Sequence, residues 1–331
     1  MPAPSDDSVG AAIDVGSTSV HLLVARVGWA AGVEPYRDVP TLDPLIDESV
    51  LLGLGQRVVV TGELGREGIV ELVETLERYV AVSLANGVIS PAIVATDPLR
   101  RASDTSGAVD EVARRLRRRL HVLTPDEEAL LTLLGVTGGR RPIDETAVLD
   151  VGGGSTEVIV IGPDRAPETV SVPIGAIRLA AAFVAHDPPT ADEIGALRVA
   201  AREALETVPL PGIMSLVGVG GTATNLGRVA AATMGRDVDQ ADVLTLDDVE
   251  AVLRRLAVEP VDAIAAAAGI RPGRARVLPA GAAILEAVLQ RAGLSALTLS
   301  HASLREGLVR AQFRAGEEWR ARLPEVAAGW A

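Results

Sequence analysis

The chain has 331 residues, enough for two domains of ordinary size, and 48% of them are apolar while only 2% are aromatic, so its cores must be built from Ala, Val, Leu and Ile. A net charge of −13 argues against a nucleic-acid binder, and the absence of cysteine excludes disulfides, thiol nucleophiles and thiolate metal sites. Lysine is also missing, which removes Schiff-base chemistry and the Walker A lysine and leaves phosphate to backbone N–H groups, arginines and metal.

No apolar run reaches the roughly eighteen residues of a membrane span, and the polar, acidic start at residues 1–7 is unlike a secretion signal. No membrane association and a cytoplasmic location are therefore the expectations. The negative charge would also repel a polyanionic ligand unless arginines and metal make a cleft locally positive.

In chain order, the first strong feature is an internal echo. Ala12-Ile-Asp-Val-Gly-Ser-Thr-Ser-Val-His-Leu-Leu-Val24 aligns without gaps on Val148-Leu-Asp-Val-Gly-Gly-Gly-Ser-Thr-Glu-Val-Ile-Val160. Each copy predicts a buried strand, a tight Gly/Ser turn and a second strand. Between the copies, a helix over 66–85 ends at Asn86-Gly87, a strand spans 92–96, a helix spans 107–120 and a short strand follows at 121–123. Thr124-Pro-Asp-Glu127 opens a further helix with a capping box and an early proline, and Gly138-Gly139 marks the expected hinge.

After the second copy come a strand over 168–173, helices near 175–184 and 190–206, and a strand at 213–218 leading into Gly218-Val-Gly-Gly-Thr-Ala-Thr-Asn225. Helices at about 246–256, 260–268 and 277–291, a strand at 296–299 and a closing helix from about 303 complete the pattern. Strands alternating with helices predict an α/β fold. The duplication divides it into a first domain over 8–135 and a second over 136–312, the closing helix returning to the first, with 313–331 as a tail.

Asp14 and Asp150 each stand where a strand enters a Gly-rich turn. Facing one another across a cleft, the two carboxylates could hold Mg²⁺, which prefers carboxylate, water and phosphate oxygens; the alternative for either is an Asp that caps its turn. Gly16-Ser17-Thr18-Ser19 and Gly152-Gly153-Gly154-Ser155-Thr156 offer successive N–H groups and hydroxyls, a concavity that takes anions without lysine. Gly220-Gly221-Thr222 lies between a strand and a helix, either as a third anion site or as a packing turn. The four histidines have no metal-ligand spacing. The dense run Arg114, Arg115, Arg117, Arg118 and Arg119 is either a solvated helix face or a polyanion track.

With these residues in view, the paired hairpins resemble the superfamily of actin, sugar kinases and heat-shock ATPases. Over about residues 10–312 the chain resembles the exopolyphosphatase/guanosine pentaphosphate phosphohydrolase family in its short form. The matching pieces are the two echoed segments, Ala95-Thr-Asp-Pro-Leu-Arg-Arg-Ala, Asp126-Glu-Glu-Ala, Gly220-Gly-Thr-Ala-Thr and Leu304-Arg-Glu-Gly.

The resemblance implies two actin-like, ribonuclease H-like domains around a cleft, a homodimer, and hydrolysis of a terminal phosphoanhydride. The substrate would be inorganic polyphosphate or guanosine pentaphosphate, with Mg²⁺ as cofactor. It implies Glu128 as the base that activates water, Asp150 and Glu157 as acids that handle Mg²⁺ or place that water, and Asp14 as the first-loop acid. Ser155 becomes a loop hydroxyl near the terminal phosphate, and Arg100 an arginine on the phosphate chain. A non-catalytic sensor and a kinase of the same superfamily are the rival readings.

Four positions depart from the family pattern: Asp97-Pro98 before Arg100, Thr124-Pro125 before the glutamates, Leu130 where an arginine is common, and His301-Ala302 before the last motif. Asp97 is expected to repel phosphate or to pair with Arg100 or Arg101.

Overall fold

The computed structural model of the protein describes residues 8–29, 40–140, 142–210 and 212–327. It divides into two compact units, one of residues 1–141 together with 302–331, the other of residues 142–301.

The first unit runs β1 (Ser8–Val15), β2 (Ser19–Trp29), β3 (Pro40–Leu51), α1 (Leu54–Thr61), α2 (Gly65–Ala85), β4 (Ala92–Ala95), α3 (Asp97–Arg101), α4 (Thr105–Leu116), β5 (Leu120–Val122) and α5 (Pro125–Thr137). Its sheet has the order β3-β2-β1-β4-β5. The first three strands form an antiparallel meander, and β4 and β5 continue parallel to β1. Alternation along β1 sends Ala11, Ile13 and Val15 into a core shared with α1, α2 and α4, while Ala12 joins a second core on the opposite face.

The second unit repeats the plan with β6 (Thr146–Val151), β7 (Thr156–Gly162), β8 (Arg165–Val172), α6 (Ala176–Phe183), α7 (Ala191–Ala204), β9 (Ser215–Val219), α8 (Gly220–Thr233), β10 (Val243–Thr245), α9 (Leu246–Leu256), α10 (Val261–Ala268), α11 (Pro272–Ala275), α12 (Leu278–Ala292) and β11 (Ala296–Leu299). Its order, β8-β7-β6-β9-β11-β10, matches the first sheet strand for strand and adds the antiparallel edge strand β10. The echo in sequence is thus a duplication of topology. The aliphatic composition suits this core, where α12 buries Ala280, Ala282, Ala283, Ile284, Leu285 and Val288 almost completely.

The last stretch of chain, α13 (Leu304–Ala315) and α14 (Leu323–Ala327), belongs to the first unit. In the expected division the closing helix already returns to the first domain; Trp319 and α14, in the stretch expected as a tail over 313–331, pack there with it. Leu304, Leu308, Trp319 and Leu323 are buried against Leu131 and Leu134 of α5 and Ala12 of β1, each large side chain contributing about 1.5–3 kcal/mol. Two glycines allow the approach: a Cβ added at Gly135 would lie 1.8 Å from Ser303 O, and one at Gly307 would lie 1.8 Å from Leu131 O.

A smaller correction concerns the helix expected over 107–120. It stops at Leu116 because Arg117 turns to a left-handed φ of 51°, and β5 accordingly starts at Leu120. Among the described residues no helix is long and apolar enough to cross a membrane.

Candidate functional site

The two echoed turns share their bonding. Gly16 N–H donates to Ser19 O at 3.1 Å, and Gly152 N–H donates to Ser155 O at 2.9 Å. In each unit the loop carbonyls are turned into the start of the next helix. Ser17 O accepts from Gly55 N–H (2.7 Å) and Thr18 O from Gly53 N–H (3.0 Å); Gly152 O accepts from Ala176 N–H (2.8 Å) and Gly153 O from Ile177 N–H (2.9 Å). A glycine makes each docking possible, since a Cβ on Gly55 would meet Ser17 Cβ at 2.6 Å and one on Gly175 would meet Gly153 C at 2.5 Å. The carbonyls that would repel an anion are therefore committed elsewhere, and successive N–H groups of such a turn suit phosphate oxygens.

The register fixes which side chains share a face. Asp150 pairs with Glu157, which pairs with Ser171; Asp14 pairs with His21, which pairs with Ser49. Directly opposed residues project to the same side about 5 Å apart. The second unit thus holds a paired acid, with Ser171 Oγ donating to Glu157 Oε1 at 3.0 Å. In the first unit His21 stands where the second has Glu157, and its Nε2 lies 2.7 Å from Ser19 Oγ.

The third loop comes to the same end of the second sheet. Gly220 has φ of 76°, and a Cβ there would sit 2.6 Å from Asp150 Oδ1. Thr222 Oγ1 donates to Val151 O at 2.7 Å, and Thr156 Oγ1 donates to Ile174 O at 2.7 Å, so both hydroxyls brace their loops. Sequence reasoning missed one residue here: Arg274 of α11, whose guanidinium nitrogen lies 3.1 Å from a Cβ built on Gly221. Burial, with Arg271 nearby, pulls its pKa down to about 10; nothing in the spacing of Arg271-Pro-Gly-Arg-Ala-Arg276 distinguishes it.

In the first unit the ends of β1, β4 and β5 lie side by side: Thr96 N–H donates to Val15 O at 3.2 Å and Leu123 N–H to Ala95 O at 2.8 Å. That edge, the carboxyl end of parallel strands where α/β folds take ligands, carries Asp14, the Gly16–Ser19 turn, Arg100 and Glu128. Asp14 Oδ1 is sealed from solvent and has no hydrogen-bond partner. Burial raises the Asp14 pKa to about 6, opposed by Arg305 and aided by Glu306. Arg305 is itself bonded to Asp47.

Arg100 and Glu128 meet directly, Nη1 to Oε2 at 2.6 Å, and the same nitrogen donates to Leu123 O at 3.1 Å. Neither is consumed by helix capping. That task falls to Glu127, which closes the capping box with Thr124 and receives two bonds from Arg320.

Three of the four departures from the family pattern find local explanations. Asp97 lies 3.5 Å from Arg101, Thr124-Pro125 builds the cap, and Leu130 packs on the core beneath α13. Within the basic run, Arg114 binds Glu111, Arg115 binds Glu77 and Arg118 binds Ile89 O, as a solvated helix face would.

As for metal, no group of three or more His, Asp or Glu side chains is clustered for an ion among the described residues. Within the second unit, the opposed carboxylates of Asp150 and Glu157 have the donor chemistry of Mg²⁺, which keeps several waters and needs only one or two carboxylates.

A duplicated sheet order, each copy opening on a Gly-rich hairpin, defines the actin-like class of two-domain α/β proteins. The chain belongs to the Ppx/GppA phosphatase family, whose model matches residues 36–314. It is 32% identical to exopolyphosphatase 2 of Mycobacterium tuberculosis over 314 residues, covering 90% of this chain and 96% of that protein. The crystal structure of the Aquifex aeolicus family member superposes with a TM-score of 0.78 at 28% identity, covering 94% of this chain and 99% of that one. An exopolyphosphatase structure from Cytophaga hutchinsonii, 22% identical with a TM-score of 0.77, shares the fold.

Proposed function

We propose that the protein is an exopolyphosphatase, hydrolysing the terminal phosphoanhydride of inorganic polyphosphate to orthophosphate. The carrying observation is the convergence at one end of the second sheet of the Asp150–Glu157 pair, the Gly152–Ser155 turn, the Gly220–Thr222 loop and buried Arg274. Polyphosphate is favoured over guanosine pentaphosphate because the curated relatives matching most of the chain are named exopolyphosphatases.

In this reading the turn N–H groups, with Arg274, hold phosphoryl oxygens whose charge shifts during transfer. Asp14, Asp150 and Glu157 would hold Mg²⁺, which when bound supplies positive charge against the phosphate oxygens. Glu128 orients the attacking water and takes its proton. Arg100 holds the Glu128 carboxylate in place through their ion pair, and exchanges part of that bond for the incoming phosphate chain. A homodimer is part of the same reading.

Phosphate release from long-chain polyphosphate with Mg²⁺, run beside guanosine pentaphosphate, tests this. Glu128→Gln is expected to lower kcat by roughly a hundredfold or more, and Arg100→Ala to raise KM. Full activity in Glu128→Gln would dismiss the assigned base, and turnover of the nucleotide alone would reassign the substrate.

A further inference from the structure

The residue that shapes the base-bearing corner lies nearly two hundred positions away in sequence. Arg320 follows α13 and reaches back to the β5–α5 corner. Its Nε donates to Glu127 Oε1 at 2.6 Å and its Nη2 to Glu127 Oε2 at 2.8 Å, while Nη2 also donates to Val122 O at 2.9 Å. It therefore bridges the last residue of β5 and the first turn of α5. Paired donors on both carboxylate oxygens fix a direction as well as a distance, which a single point charge does not.

Glu127 in turn accepts from Thr124 N–H at 2.8 Å, closing the capping box. Burial works against its ionisation, but Arg320 and Thr124 hold the Glu127 pKa below the usual carboxylate range. The neighbour on one side, Trp319, is 2% exposed and meets the ring of His121 on β5 edge-on, with centroids 5.4 Å apart. Corner and C-terminal segment are thus locked at two points. Glu128 is the next residue in the chain, in that same first turn, and its own partner Arg100 is anchored to Leu123 O in the segment Arg320 spans.

We infer that Arg320 is a positioning residue for Glu128: acting through Glu127 and Val122, it sets the orientation of the α5 first turn and so the place of the carboxylate that activates water. This rests on the reading of Glu128 as base. Displacements of about an ångström in a reacting group can cost a hundredfold in rate, so a clamp on the turn is felt in catalysis before binding. The sequence carries no sign of it, because neither Arg320 nor its surroundings form a motif.

The test is steady-state phosphate release from polyphosphate by the full chain with Mg²⁺, beside thermal unfolding of each variant. Arg320→Ala and Glu127→Gln are each expected to lower kcat roughly tenfold or more with KM within about twofold, and the double variant to be no slower than the worse single one. Arg320→Lys, which keeps charge and reach but loses the fork, is expected to fall between wild type and Arg320→Ala. Arg322→Ala, which breaks only the surface pair with Glu325 in the same segment, is expected to keep wild-type kcat.

Wild-type kcat in Arg320→Lys and in folded Arg320→Ala, with only the melting temperature lowered, overturns the inference and makes the contact merely structural. So does a multiplicative loss in the double variant. Glu128→Gln is run in parallel to separate the two claims: if it is inactive while Arg320→Ala is normal, the inference alone fails. If it is fully active, the base reading and the inference fall together.

Discussion

Gly135 and Gly307 face each other where α5 crosses α13, each lying where a methyl group would sit 1.8 Å from a backbone carbonyl oxygen of the opposing segment. Arg310 adds a bond to Gly135 O at 2.9 Å. Backbone on both sides cannot swing aside as a side chain would. Gly307→Ala is therefore expected to destabilise the protein by about 3 kcal/mol, at or beyond the upper range for overpacking, and urea unfolding measures it. A loss under roughly 0.5 kcal/mol would mean the helices separate freely.

Gly220 gives a local probe of the second unit. Alanine there must hold a left-handed φ, at roughly 1 kcal/mol, and its methyl would press on Asp150 Oδ1. Because the methyl strikes the acid, Gly220→Ala is expected to reduce phosphate release far more than it reduces stability. Comparing kcat with the unfolding midpoint checks this, and equal losses would place Asp150 outside the chemistry.

His121 makes an acid-sensitive joint. Burial, with help from Arg119 and Arg320, depresses its pKa to about 4, and its Nδ1 has no hydrogen-bond partner. The unfolded chain, with histidine near its ordinary value of 6.5, binds the proton more readily. Stability is thus fully present above pH 6.5 and is lost as pH falls toward 4, by roughly 1–2 kcal/mol because solvent screens this half-buried ring. Denaturation from pH 7.5 to 4.5, followed by tryptophan fluorescence because Trp319 lies against the ring, is expected to show this slope. His121→Phe is expected to flatten it.

Asp14 contributes the opposite slope. Its folded pKa of about 6 exceeds the ordinary value of 3.8, so the folded state binds the proton more tightly. Its stabilising contribution is present below pH 3.8 and is lost as pH rises through 6. In metal-free protein Asp14→Asn is expected to be more stable than wild type at pH 7.5 by roughly 1–3 kcal/mol, the difference closing near pH 4. Added Mg²⁺ is expected to protect wild type more than Asp14→Asn; equal protection by thermal shift would take Asp14 out of the metal set.

Much of the local structure was legible because its causes are local. The capping box at Thr124 and Glu127 needs only residues three apart, and the echoed hairpins declare their turns in Gly and Ser. Their twin bonding follows from matched sequence. What was not legible depends on partners distant in the chain. Residues 40–61 carry no motif, yet β3 completes the meander and Gly55 docks the first turn. Leu130 read as a missing basic contact, but its reason is the core under α13. Arg274 and Arg320 lie on segments whose relation to Gly221 and Glu127 exists only after folding.

The return of α13 and Trp319 to the first unit sets an order of assembly. During synthesis residues 8–137 emerge early, yet the layer that covers Ala12, Leu131 and Leu134 follows only after the whole second unit. The second unit is continuous in sequence and complete once residue 301 has emerged. The nascent protein must therefore carry an uncovered apolar sheet face through the translation of an entire neighbouring unit, a span in which chaperone engagement has an obvious target.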